Sequence, residues 1–335
     1  MNIKKIGLTA LAGSLVATSL VAGEMAVTGS ASMKVRHVDT NSAGKAFSMG
    51  NQLEFAGSGE LDNGLDVKLS FVLDQNDDTG TDNNLDASSV GGASRTTGTG
   101  TPFDSHSVSI GSDALGTLVF HGEGGSSAES ALDTTAAGDL WDNGYGITTA
   151  NDPSASATSD NMLFYTLPEL ADGVAITASY TPRGAGAINS SAAFGLAYTG
   201  VEGLELNFAQ GENDSAAGAT ADATTMKISY AYGPIEVGYS DTEFDSQTAT
   251  ADQDVKSMNV SYTLTPDISI SYGEDEIAKP QIGGDEDIKV SAVSGSYTAG
   301  GMTLGLMVGE AKNTAHGTGS EEDKDMWHLT ASFAF

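Results

Sequence analysis

Charged side chains recur at every second position of several short segments, opposite apolar side chains. In one such segment Lys34 and Arg36 alternate with Met33 and Val35. A period of two places successive side chains on opposite faces of a strand, so the charged residues share one face. The basic candidates on that face are Lys34, Arg36, Lys68, His121 and Lys227, and the acidic ones are Glu54, Glu205 and Glu236. Fixed charges of this kind orient and select ions and polar solutes without making or breaking bonds.

A second set of charges lies in the long polar segment 123–160. Its acidic candidates are Glu123, Glu129, Asp133, Asp139 and Asp142. If such a segment faces a basic surface, the two sets create an electric field across the space between them. For each charged residue taken singly, a solvated side chain or a salt bridge stays an open alternative.

Catalysis is not expected from this sequence. A hydrolytic site needs a nucleophile or carboxylate held beside a histidine. The five histidines fall mostly in polar links or at segment ends, and no nucleophile motif accompanies them. The glycine-rich stretches 91–92 and 122–125 lack the following helix and lysine of a phosphate-binding loop. We therefore predict that the protein is not an enzyme and holds no resident cofactor.

Acidic clusters near residues 74–82, 274–276, 285–287 and 321–325 supply the oxygen ligands that calcium and magnesium prefer. None of them matches an EF-hand loop, so we interpret them as solvated loop charge, with weakly bound Ca²⁺ or Mg²⁺ as the alternative. The formal net charge of −31 argues against nucleic acid as a partner. Cations are the natural counterparts of this chain.

The first 23 residues have the pattern of a secretory signal peptide. Lys4 and Lys5 precede an uncharged, mostly apolar run from Ile6 to Ala22, and cleavage is expected near Gly23. A transmembrane helix is the alternative, but the run is short of the about 20 apolar residues that such a helix needs. Residues 24–335 contain no apolar run of that length. They are a soluble secreted domain or, if they enter a membrane, a closed β-structure.

Sixteen alternating segments follow the leader, each near the length of a tilted membrane strand. Short links with glycine or proline alternate with longer polar links, which include 74–102, 123–160, 241–254, 274–287 and 309–324. This pattern predicts an all-β fold, a 16-stranded antiparallel up-and-down transmembrane β-barrel with short periplasmic turns and long extracellular loops. The phase of the alternation stays open in the sixth and fourteenth segments, and Asn51 falls on the otherwise apolar face.

Aromatic side chains gather at the ends of the segments. Tyr198 and Tyr262 lie near short links, whereas Tyr180, Tyr239 and Tyr272 lie near long ones. Two such belts are typical of the aromatic girdles that mark the two surfaces of a membrane. A β-sandwich would explain the alternation alone, so the belts favour the barrel.

Three stretches of the sequence resemble a known family. The chain closes on an alternating strand, Trp327 to Phe335, which resembles the outer-membrane assembly signal of barrel proteins. Residues 114–120 (ALGTLVF) precede segment 123–160, and residues 160–165 (DNMLFY) and Pro168 follow. This combination resembles the Gram-negative general porins, particularly their alphaproteobacterial branch. The Pro-Glu-Phe-Gly-Gly type of turn found in the best-known enteric porins is missing.

The resemblance implies an outer-membrane homotrimer surrounded by lipid and lipopolysaccharide, inserted by the barrel assembly machinery through the strand that ends in Phe335. It also implies that segment 123–160 is a third loop that folds into the barrel and narrows it. The expected function is a water-filled channel for passive diffusion of small hydrophilic solutes and ions. Because acids outnumber bases, we expect mild cation selectivity. A substrate-selective porin and a non-conducting structural or adhesin barrel are the alternatives.

Overall fold

Sixteen antiparallel strands form a closed barrel in the computed structural model of the protein. The structure describes residues 24–38, 45–74, 105–129, 134–142, 147, 161–182, 190–214, 220–246, 252–279, 286–314, 316 and 323–335. The strands are β1 (Glu24–Val38), β2 (Lys45–Glu60), β3 (Asp66–Asp74), β4 (Ser105–Ser112), β5 (Gly116–Glu123), β6 (Met162–Thr166), β7 (Val174–Thr181), β8 (Ser190–Tyr198), β9 (Leu204–Asp214), β10 (Thr220–Tyr232), β11 (Ile235–Asp245), β12 (Gln253–Thr265), β13 (Ile268–Ala278), β14 (Ile288–Ala299), β15 (Met302–Lys312) and β16 (Lys324–Ala334). The predicted fold class is confirmed.

Helical structure in the described residues includes a short 3-10 turn at Leu140–Asp142. None of the helices in this part of the chain has the length and apolar character needed to span a membrane. The predicted signal peptide, residues 1–23, lies outside the described residues.

Each strand pairs with its neighbours in the chain, and β1 closes the barrel against β16. At the seam the backbone N–H of Gly29 donates to the carbonyl of Phe335 at 2.8 Å, and the N–H of Phe335 donates back at 3.0 Å. Closure matters because an open sheet edge in lipid would leave backbone groups without hydrogen-bond partners. The seam therefore completes the ladder around the whole circumference.

Short turns join the strands at one end of the barrel, as the sequence predicted. Six of the seven turns contain a glycine with positive φ. Gly203 shows why glycine is needed, because its φ is 78° and a Cβ there would lie 2.2 Å from the carbonyl oxygen of Ala231. The turn at 265–267 uses Pro266 instead.

Apolar side chains cover the outer face of the wall. On β10, for example, Met226, Ile228 and Tyr230 are exposed, whereas Thr225, which precedes Met226, points inward and is 2% exposed. The structure resolves the two phases that the sequence left open: Leu163 faces outward on β6, and Val293 and Tyr297 face outward on β14. An apolar outer face is what contact with lipid requires.

The pattern inverts near the loop end of the barrel. Beyond Tyr239 the outward residues of β11 become acidic, Asp241 and Glu243, while inward Phe244 is only 4% exposed. The same change occurs on β13, where Glu274 and Glu276 face outward and Ile277 is buried inside. We call this charged outer zone the rim, and it lies above the apolar band that faces lipid.

The inversion corrects the predicted ends of the long loops. Loops were predicted at 241–254, 274–287 and 309–324, yet β11 continues to Asp245, β13 to Ala278 and β15 to Lys312. The apolar outward pattern stops at the edge of the lipid band, but the backbone ladder does not. A prediction from hydropathy alone therefore ends these strands too early.

Inside the rim the barrel has a small apolar core. Its wall residues include Val255, Ile277, Val290 and Met326, and each is at most 2% exposed. Leu140 and Ile147 from segment 123–160 pack against this wall, with Trp141 beside them. Burial of these side chains holds part of the segment inside the barrel.

Candidate functional site

Segment 123–160 leaves β5 and follows the inner face of the wall. The described parts of the segment are residues 124–129, 134–142 and 147. The N–H of Ala128 donates to Ser179 Oγ on β7 at 3.0 Å. Further along, the N–H groups of Ala136 and Ala137 donate to Ser240 Oγ on β11 at 2.9 Å and Ser257 Oγ on β12 at 2.8 Å. We call these described residues the inner loop.

Lys227 binds the inner loop directly. Its Nζ donates to the carbonyl oxygens of Thr134 at 2.9 Å and Thr135 at 3.4 Å. The carboxylates of Asp139, Glu205 and Glu236 lie close enough to act on its charge. Lys227 therefore anchors the inner loop. The combined negative charge of the three nearby carboxylates exceeds its single positive charge.

The acidic candidates of the loop have different surroundings. Asp139 folds the loop on itself, since Thr135 N–H donates to its Oδ1 at 2.8 Å and its own N–H donates to Thr135 Oγ1 at 2.8 Å. Glu129 is 1% exposed and its Oε2 lies where a side chain on Gly211 would be. Glu123 ends β5 and is partly exposed.

Two acidic candidates are not placed by the structure. Asp133 lies outside the described residues, and Asp142 belongs to the 3-10 turn with its side chain outside the description. The acidic clusters predicted around 77–82 and 321–322 also lie outside the described residues.

Two of the basic wall candidates lie together on β1. Lys34 pairs with Thr330 and Arg36 pairs with His328 in the register between β1 and β16. His328 is an inward residue that the sequence reading left among the histidines at strand ends, because a histidine carries no hydropathy signal of its own. Lys34 and Arg36, with the His328 ring beside them, form a basic patch on the wall opposite β8 and β9, and its positive charge comes from the lysine and the arginine.

The other basic candidates lie elsewhere in the barrel. Lys68 is exposed at the turn end, where it pairs with Ser58, which in turn pairs with Glu24 at the start of β1. His121 lies at the loop end of β5, and its ring contacts Phe164 edge-on with centroids 6.5 Å apart. The structure therefore separates Lys68 from the basic patch by most of the length of a strand.

Asp275 is an inward acid that the sequence reading missed. It is fully buried on β13 and lies against Ser257, Thr135 and Leu140 at the inner loop. It was missed because residues 274–287 were predicted to form a loop rather than part of the wall. Its alternation with Gly273 and Ile277 is the signal that could have found it.

No group of three or more metal-ligating side chains lies close together among the residues that the structure describes. In the rim, Lys289 Nζ pairs with Glu276 Oε2 at 2.8 Å, and Lys312 Nζ pairs with Glu310 Oε1 at 3.3 Å. Weak calcium or magnesium binding at the acidic loops stays a prediction.

The sequence pattern of the Gram-negative porin family matches residues 7–316. The chain belongs to the Gram-negative porin family. The predicted family is thus confirmed, and the closed barrel is that of an outer-membrane channel. A comparison with curated proteins gives no match.

Solved structures share the fold of this porin at low sequence identity. OmpT, an outer membrane protein of Vibrio cholerae, has a TM-score of 0.69 at 12% identity, covering 96% of this chain and 100% of that chain. OmpF of Salmonella typhi, solved in complex with daunomycin, gives 0.66 at 12%, covering 93% and 97%. An anion-selective porin from Comamonas acidovorans gives 0.62 at 15%, covering 94% and 100%. Such likeness supports the fold, whereas ion preference must come from this chain's own charges.

Proposed function

We propose that this porin is a general-diffusion channel with mild cation selectivity. It passes small hydrophilic solutes and ions through the water-filled space between the basic patch and the inner loop. The observation that carries the proposal is the inner loop itself, which is bound to one side of the lumen by Ser179, Ser240, Ser257 and Lys227. A loop held against the wall narrows a barrel without closing it.

Segment 123–160 is the constriction loop in this proposal. Lys34, Arg36, Lys68 and Lys227 supply positive charge to the lumen, and His121 is the fifth basic candidate of the wall. Glu123, Glu129, Asp133, Asp139 and Asp142 supply negative charge to the loop. The field between the two sets orients polar solutes, and apolar solutes are disfavoured because they disrupt ordered water.

Cation selectivity follows from the local balance around Lys227. One ammonium group faces Asp139, Glu205 and Glu236, so this part of the lumen carries a net negative charge. Loss of Lys4 and Lys5 with a cleaved leader would also shift the formal charge from −31 to −33. The basic patch on β1 and β16 opposes this field, which keeps the preference mild.

The inner surface supports general diffusion over substrate selectivity. A selective porin guides its substrate along aromatic side chains, but the inward residues of β1 and β2 include Thr28, Ser30, Ser32, Gln52 and Glu54. Weakly interacting polar walls of this type discriminate by size and charge.

The mature protein in this proposal is a homotrimer in the outer membrane, exported by the leader 1–23 and inserted by the barrel assembly machinery through β16 and Phe335. Lipid and lipopolysaccharide surround it. The nine tyrosines of the described strands all lie between β6 and β14. The exposed aromatic side chains on β2 and β5 are phenylalanines, Phe47 and Phe120. A girdle that lacks tyrosine over β1 to β5 is consistent with another subunit, rather than lipid headgroups, on that side. The absence of catalysis and of a cofactor stays a prediction.

Planar bilayers test this function directly. Purified protein should produce stepwise ohmic conductance, and the reversal potential in a potassium chloride gradient should show a modest excess of potassium permeability. Chloride preference would overturn the cation selectivity. Failure to conduct would favour the structural or adhesin barrel. Saturable block of the ion current by one sugar among many would favour the substrate-selective porin.

A further inference from the structure

The inner loop is fitted to the wall strand by strand. Ala128 contacts β7 and β8, Thr134 and Thr135 contact β10, Ala136 contacts β11, and Ala137 contacts β12 and β13. The loop therefore runs around the circumference at one level rather than across the lumen. Small side chains line this level of the wall.

Glycines provide the space for the loop backbone at two points. A Cβ on Gly195 would lie 2.7 Å from the carbonyl oxygen of Ala128, and a Cβ on Gly273 would lie 2.7 Å from the Cβ of Ala137. Neither glycine has positive φ, so alanine fits their backbone conformation. At Gly273 the close neighbours of the added Cβ all belong to the loop, whereas at Gly195 the rotatable side chain of Thr177 on β7 also lies near, with its Oγ1 at 2.5 Å. Both glycines occupy strand positions whose side chains would point into the barrel.

Gly238 is a third inward glycine under the loop, with more room. A Cβ there would lie 3.5 Å from the Cβ of Ala136, which is ordinary van der Waals contact. The three glycines therefore form a graded series, in which two alanine substitutions displace the loop and one does not.

Serines hold the loop in this space. Ser179, Ser240 and Ser257 are 6%, 1% and 2% exposed, and each accepts one backbone N–H of the loop. A buried N–H needs such an acceptor because water does not reach it. The two residue types act together, since glycine lets the backbone approach and serine bonds it there.

We propose that Ser179, Gly195, Ser240, Ser257 and Gly273 form a loop seat that sets the width of the passage. These residues need not touch the permeating solute. They fix how far the loop stands from the wall, and thus how much of the lumen stays open on the side of β2 to β5. The inference rests on the proposed channel function.

Alanine substitutions of the glycines test the seat. Gly195→Ala and Gly273→Ala should each push the loop toward the barrel axis and lower the unit conductance, with the ion preference unchanged because no charge is altered. Gly238→Ala is the matched control and should conduct like the parent protein. Heat-resistant gel migration shows that each variant is a folded barrel.

Serine variants give a second measurement that does not depend on steric pressure. Ser240→Ala and Ser257→Ala leave loop N–H groups without acceptors, so the loop should leave the wall intermittently and open-channel current noise should rise. Ser261→Ala, four residues from Ser257 on the same face of β12, is the control and should show the current noise of the parent protein.

The possible outcomes separate the two claims. Folded Gly195→Ala and Gly273→Ala channels with parental conductance would overturn the loop seat, as would an equal loss in Gly238→Ala. Parental noise in both serine variants would also count against it. A parent protein that forms no channel would instead remove the proposed function itself.

Discussion

Lys227 shows how a residue's face can be read from sequence while its partners cannot. The period of two places it correctly on the inward face, between Met226 and Ile228. Its bonds to Thr134 and Thr135 join residues more than 90 positions apart, and hydropathy carries no information about such pairs. Glu129 makes the same point, because nothing in its local sequence indicates that it is 1% exposed.

Replacement of Lys227 should affect both the loop and the ion preference. Lys227→Met removes a charge-assisted hydrogen bond, worth about 1.5–3 kcal/mol, and one positive charge beside three carboxylates. We expect noisier open channels and a reversal potential shifted toward potassium. Lys68→Met is the control: it removes the same charge at the turn end, so it should leave the noise unchanged. Equal noise in the two variants would contradict the anchoring role of Lys227.

Acidic residues on the two faces of one strand should differ in effect. Glu236 faces inward on β11, and Glu243 faces outward in the rim of the same strand. Glu236→Gln should lower the potassium-to-chloride permeability ratio, because it removes a charge next to the path of the ions. Glu243→Gln should change the ratio less. The measurement is the reversal potential at low ionic strength, and equal shifts in the two variants would argue against a lumen position for the selective charge.

At the scale of the strand, hydropathy indicates which residues face lipid. It does not indicate where the backbone hydrogen bonding of the strand ends. The apolar band of β13 was found from Ile268, Ile270 and Tyr272, and the turns were found from their glycines. The extension of the strand to Ala278 was missed because its outward residues are acidic and inward Ile277 packs on the loop. The inversion becomes readable once both faces are considered together.

Arginine substitutions should locate the edge of the lipid band. Leu306 faces outward in the band of β15 and is 51% exposed, whereas Ser291 faces outward in the rim of β14. Leu306→Arg should destabilise the vesicle-inserted barrel by about 2–4 kcal/mol, and Ser291→Arg by less than about 0.5 kcal/mol. Denaturant unfolding from vesicles gives both values. Similar losses would mean that the rim is in contact with lipid.

At the scale of the whole molecule, the outer face is not uniform around the barrel. The described tyrosines occupy β6 to β14, while β1 and β2 present Met33, Met49 and Phe55, whose ring stacks on Phe71 of β3. Asn51 lies on the same outward face of β2. The sequence indicates two aromatic belts but not how they are distributed around the barrel, because the adjacency of β1 and β16 emerges only when the barrel closes.

Outward arginines on opposite sides should distinguish a subunit contact from lipid. Met33→Arg lies on β1, in the interrupted part of the girdle, and Leu206→Arg lies on β9 among the tyrosine-bearing strands. We expect Met33→Arg to dissociate the proposed homotrimer into folded monomers in mild detergent, because a charge at a packed interface lacks a partner. Leu206→Arg should remain trimeric. Native mass spectrometry gives the oligomeric state of each variant. If both variants are trimeric, the subunit contact does not include this part of β1.

The level at which the loop lies has an electrical consequence. Ser179, Ser240 and Gly273 each neighbour a girdle tyrosine, so the loop stands near the outer surface of the membrane rather than at its middle. In a conducting tube most of the applied voltage falls where the cross-section is smallest. A polyvalent blocker arriving from outside the cell therefore reaches this resistance after a short distance. One arriving from the periplasm first crosses a wide vestibule, so block from the two sides should differ in its dependence on voltage.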